Sequence, residues 1–285
     1  VEVRDPIAGE NREPAKRKAD ALLGTLPLRE WARGEYPREY RGRPPMNLTI
    51  HPSHVAAWLG AVLVAIALLH GASVFVDRVL GHPVALGFNK MFYLSAEDNF
   101  PTLYSSFLMW IIAMVAFAIG IANRQRQLGG VAAWIGIAIL FFLLGIDESM
   151  SLHEGMSEPI RESLGGVGGL LYFAYIIPYG IAICLLTAVY APFVLKLPTR
   201  TRRKVVLAAV LYVTGALLLE AVGGRHYETM EVRDAPYILM ITIEELLEIG
   251  GLSLFLWAQL DYIVDRLGGG TLTVESAVGS DVAAA

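Results

Sequence analysis

A strongly apolar run, residues 140–146, ends abruptly in Asp147 and Glu148, and His153 and Glu154 follow within two helical turns. Far along the chain, Glu244, Glu245 and Glu248 stand inside another apolar segment, and Glu220 lies near the end of a third. Carboxylates with one or two histidines suit hard or borderline divalent cations such as Ca, Mg, Mn, Fe or Zn. A metal so held can activate water, here for hydrolysis of a lipid-linked substrate. Acids at several depths of a membrane can instead relay protons or bind a transported cation. A third use is structural, as a cation site or a polar clamp between helices.

The spacing favours one site on span 6. Glu244 and Glu248 are four apart and Glu245 and Glu248 three apart, so all three fit on one helical face. An ionised acid deep in a span costs roughly 2.5–3.5 kcal/mol on insertion scales. Three facing lipid would cost on the order of 8–10 kcal/mol. They must therefore face the bundle, take up protons, or find partners such as a cation, a histidine, Arg225 or Arg233. Asp147, Ser151 and Glu154 share a face if the helix continues through them. His153 points elsewhere on such a helix and joins the acids only where it breaks.

These residues need a membrane bundle to position them. The chain has 285 residues, 55% hydrophobic and 18% charged, too apolar for an ordinary soluble domain. Apolar runs at about 54–76, 102–122, 130–146, 170–195, 204–222 and 237–264 predict an all-α polytopic bundle of about six spans. Each is near the ~20 residues needed to cross ~30 Å of hydrocarbon. A kink is expected at Pro178, and a separate short helix is expected to start at Ser157-Glu158-Pro159. Three regions result: an Arg/aromatic/Pro-rich arm (1–50), the membrane domain (51–266) and a Gly/Ala/Ser-rich tail (267–285) expected to be unstructured alone. The single Cys184 excludes an internal disulfide and a cysteine metal motif.

Lys and Arg set the orientation. With both termini inside, the arm, Arg124, Arg126, the basic residues of 196–204 and Arg266 are cytoplasmic. Only Arg78, Lys90, Arg161, Arg225 and Arg233 are outside. Arg200, Arg202, Arg203 and Lys204 then face anionic headgroups. On this topology His70, Glu97, Asp98, Asp147, Glu148, Glu220 and the span 6 acids gather at one outer level. His70 reads better as a hydrogen-bonded bundle residue than as a ligand, and Glu97 and Asp98 suit a helix N-terminus.

The segment from Leu144 to Glu148, with Ser151-Leu152-His153-Glu154 and then Glu244, Glu245 and Glu248 before Gly250-Gly251, resembles a group of bacterial multi-pass membrane proteins. In them an acidic "LDE…LHE" span end accompanies a later "EE..E..G" span. The likeness covers roughly residues 95–265 and implies the architecture and the site, with no activity attached. No Glu-x-x-His, His-Glu-x-x-His, Gly-x-Ser-x-Gly or P-loop occurs, which weakens the di-iron, zincin, hydrolase and nucleotide readings.

The expectation is an inner-membrane accessory or scaffold subunit of a larger complex. The alternatives are a metal-dependent membrane enzyme and a proton or cation transporter. The expected site is Asp147, Glu148, His153, Glu154, Glu220, Glu244, Glu245 and Glu248, holding a divalent cation. The expected partners are the lipid bilayer and other membrane subunits, met through the arm and the tail, with no nucleic acid.

Overall fold

The computed structural model describes residues 46–49, 51–94, 96, 98–230, 234–269 and 271–274. The Arg/aromatic arm up to residue 45, Glu97, Arg233 and the tail after residue 274 lie outside them.

The chain is an all-α membrane bundle. Five helical segments are long and apolar enough to cross a membrane. They are α1 (Pro52–Arg78), then, beyond the short α2 (Phe88–Phe92), α3 (Phe100–Gln125) and α4 (Val131–Met150). After α5 (Leu152–Ser163) comes α6 (Ile176–Val194). The fifth segment, Thr199–Met230, runs through α7 (Thr199–Val213), a π-helical stretch (Thr214–Leu219) and α8 (Glu220–Met230). The expected sixth span is α9 (Ala235–Leu267), 33 residues and about 50 Å long. It has the length but carries Glu244, Glu245, Glu248 and Asp261, and it is not among the five.

Three local expectations are corrected. Helix α4 stops at Met150 and α5 starts at Leu152, so Pro159 lies inside α5 and does not open a helix. The hydroxyl of Ser157 instead accepts a hydrogen bond from Ala174 N–H at 2.8 Å. Pro178 does not kink span 4 but sits in the first turn of α6, where no intrahelical N–H partner is lost.

Helix α9 is the axis of the fold, packing against α1, α3, α7, the π stretch and α8. One core cluster joins Leu108, Met109 and Ile112 of α3, Trp134 of α4 and Leu252 and Leu256 of α9. A second joins Ile66, Leu94, Tyr237, Ile241 and Ile249. Glycines bring the helices close. A Cβ on Gly251 would lie 2.9 Å from the Ala208 carbonyl oxygen, which ties α9 to α7. Helix α6 packs Tyr190 and Phe193 against the core and leaves Ile181, Leu185 and Val189 exposed to the bilayer.

Separately from the bundle, β1 (Met46–Thr49) pairs antiparallel with β2 (Thr271–Val274), Met46 opposite Val274. Part of the tail is therefore strand, as the β-branched Thr271, Thr273 and Val274 favour.

Candidate functional site

Ser151 decides how α4 delivers its acids. Its backbone lies at φ 50° and ψ 39°, a left-handed helix end that glycine ordinarily takes. A serine there carries strain. The break swings His153 back, so that Nδ1 lies 3.3 Å from Asp147 Oδ2. The Tyr179 hydroxyl of α6 donates to the same oxygen at 2.8 Å. The His153 ring meets Tyr175 edge-on, centroids 4.9 Å apart. The condition under which His153 could join the acids is thus met. The same break costs Asp147, Ser151 and Glu154 their common face, and Glu154 is exposed in the first turn of α5.

The π stretch positions the second group. It inserts an extra residue, which turns all that follows by roughly 100° relative to a continuous α-helix. Glu220 is the first residue after it. Within the stretch, a Cβ on Gly215 would lie 2.7 Å from the Glu244 carbonyl oxygen and 2.8 Å from Glu248 Cγ. Only glycine allows that approach. As a result Glu220 stands against the carboxyl of Glu244, which is buried at 6% exposure. Tyr175 lies within electrostatic reach of Glu220 in turn. Glu248 stands one turn along α9, within electrostatic reach of Glu245, Glu148 and Glu220. Tyr212 of α7 is within reach of Glu248, Glu148, Asp147 and Glu245.

Six of the eight expected residues fall into two adjoining groups: Asp147 with His153, and Glu220, Glu244 and Glu248, with Glu148 between them; Glu154 is exposed, and Glu245 lies within electrostatic reach of Glu248. Among the described residues, no three His, Cys, Asp or Glu side chains have a geometry that could hold a metal ion. No Lys or Arg among them pairs with Glu220, Glu244 or Glu248. Arg225, a partner candidate, is exposed on α8. A carboxylate only accepts hydrogen bonds, so two carboxyl groups brought together out of water favour holding a proton between them. The arrangement can therefore store a proton, and its unpaired carboxylates can attract another cation.

Outside this site, His70 is fully engaged. Its Nδ1 accepts from Leu94 N–H at 3.1 Å, so Nε2 carries the hydrogen and faces Thr242 Oγ1 at 2.9 Å. It fastens α1 to α9. Asp98 is exposed, and Asn99 caps α3 by accepting from Thr102 N–H at 3.0 Å.

Sequence reasoning missed the tyrosines. Tyr172, Tyr175 and Tyr179 recur three and four apart at the start of span 4, a polar-tipped stripe that could have been read. Tyr212 gives no such signal. It also missed Asp261, buried at 3% exposure and bonded to Lys204 and Arg200. These two cations, expected at the headgroups, therefore serve the bundle. An acid in span 6 level with a basic cluster was the available clue.

No curated protein and no solved structure matches the chain. Residues 55–263 match the family described as a domain of unknown function, DUF8692, and the chain, matched over most of its length, belongs to that family.

Proposed function

We propose that this is a protein of the bacterial inner membrane that reversibly binds a proton at Glu220, Glu244 and Glu248, as an accessory subunit of a larger membrane assembly. The apposition of the Glu220 and Glu244 carboxyls carries the reading. It favours uptake of a proton, in a bundle where no Lys or Arg among the described residues pairs with either acid. Tyr175 supplies a hydroxyl beside Glu220, and Tyr212 one beside Glu248, where a proton can be handed on. The basic residues gather at the opposite end of α9, around Lys204 and Arg266, which favours both termini inside. The outer face of α6, with Ile181, Leu185 and Val189 exposed, offers an apolar surface on which another membrane subunit could pack.

Infrared difference spectroscopy of the reconstituted protein across pH tests the proton. A protonated-carboxyl band should be present in the wild type and lost in both E220Q and E244Q. An unchanged band in folded variants sinks the reading. The native mass of the particle extracted in mild detergent tests the assembly. A single chain or a small homo-oligomer removes the accessory role.

A second reading, a metal-dependent enzyme acting on a lipid-linked substrate, is favoured by the Asp147–His153 contact. A carboxylate that orients a histidine is the arrangement of a general base or of a metal ligand's support. Equal metal content in the wild type and in D147N/H153Q would remove it.

A further inference from the structure

At the basic end of the bundle the chain leaves α6 at Val194 and enters α7 at Thr199. Against this turn lies a groove of about 420 Å³, lined by Leu195, Arg202, Arg203, Val206, Leu207 and Val210. Two guanidinium groups stand at one end of it and aliphatic side chains fill the rest.

The four basic residues of the first turns of α7 divide in two. Arg200 and Lys204 share the carboxylate of Asp261. Arg202 and Arg203 make no ion pair among the described residues. One Arg202 Nη1–H donates to the Leu195 carbonyl at 3.0 Å. That bond holds the guanidinium at the turn with donors to spare, since arginine carries five. Arg203, Val206, Leu207 and Val210 follow i, i+3, i+4 and i+7, so a single stripe runs from cation to hydrocarbon. Its direction matters, because Thr199–Met230 is apolar and membrane-length. The arginines at its start therefore stand at headgroup depth, and the stripe runs on into the acyl region.

We infer that this groove binds one anionic phospholipid, its phosphate against Arg202 and Arg203 and an acyl chain along Val206, Leu207 and Val210. Charge complementarity selects an acidic headgroup, and guanidinium forks match phosphate oxygens bidentately. The aliphatic stripe selects a lipid over free phosphate. The site is independent of the acid cluster at the far end of α9.

The test is native mass spectrometry of the full chain in mild detergent with equal phosphatidylglycerol and phosphatidylcholine. The wild type should retain one phosphatidylglycerol in preference to phosphatidylcholine. At about one basic contact's worth of binding each, R203Q should weaken that preference about fivefold and R202Q/R203Q about thirtyfold. K90Q, at the other end of the bundle, should leave it unchanged. R203Q alters only an exposed side chain, so it keeps the test valid if R202Q loosens the turn. Equal retention by wild type and R203Q would overturn the proposal. So would displacement of the lipid by millimolar inorganic phosphate, which marks a free-anion site. A photo-crosslinker at position 207 that captures protein and no lipid would overturn it as well.

Discussion

At one end of α9, Asp261 is buried and meets Lys204 and Arg200, with the Lys204 ammonium 3.2 Å from the centre of the Trp257 ring. Seventeen residues earlier, about 25 Å along the same helix, Glu244 is buried and meets another acid. The two carboxyls have similar burial and opposite company. A buried charge is tolerated when paired, and a carboxylate facing carboxylates is tolerated only by taking up a proton or a cation. The basic end therefore fixes the bundle, and the acid end is left with an unfilled requirement that a function can use.

The largest expected effect follows from the paired end. D261N leaves Lys204 without its buried partner, and breaking such a pair costs about 3–5 kcal/mol. Denaturant titration in detergent should show that loss. D261L/K204M, which removes both charges, should recover most of it. In contrast, E244Q should change stability by no more than about 1.5 kcal/mol, because an amide can still donate to Glu220. If E244Q destabilises as much as D261N, the acid end is also a structural pair, and the contrast between the ends fails.

A middle-sized effect comes from the glycine that brings the acids together. G215V places a side chain against the Glu244 carbonyl, where even a Cβ would lie 2.7 Å away. Overpacking of that kind costs about 1–3 kcal/mol. The strain falls at the contact between the π stretch and α9, so the variant should also lose the protonated-carboxyl band while the Asp261–Lys204 pair survives. Retention of both the band and the stability would mean that the π stretch does not hold Glu220 against Glu244.

The bundle was legible in the sequence because membrane spans are written as length and hydropathy, and the apolar runs became helices with boundaries a few residues longer, except the fourth, whose helix starts only at Ile176. The convergence of Asp147, Glu148, Glu220, Glu244 and Glu248 was legible for a related reason. An acid is too costly to leave in lipid, so helix direction alone placed these five at one level. What lay beyond reach depends on single backbone angles. Nothing in Ser151 announces a left-handed residue, yet that turn admits His153 and excludes Glu154. Nor does the run from Thr214 to Leu219 signal a π stretch, which aims Glu220. The role of Asp261 was hidden because its partners lie some sixty residues away, on a helix whose basic start reads equally well as a headgroup contact.

The smallest expected effect lies just outside the span, at Asp234. Its carboxylate accepts from Tyr237 N–H at 3.0 Å, capping α9, and lies 2.8 Å from His226 Nε2. The backbone N–H first, and His226 after it, hold this carboxyl below the usual aspartate range. A carboxyl whose pKa is lowered on folding contributes its full stability above the unfolded value, near ~3.9. That contribution is lost as the pH falls through the lower, folded value. Acid should therefore loosen the first turn of α9, and hydrogen exchange at residues 235–238, corrected for intrinsic rates, reports it. D234N keeps a capping oxygen and cannot titrate, so it should remove the acid response while preserving the turn at neutral pH. The outcome also sharpens the contrast between the two ends of α9. Loosening that begins at 235–238 assigns the acid response to a cap, whereas loosening that begins at 244–248 assigns it to the cluster, whose charge balance would then govern how the bundle opens.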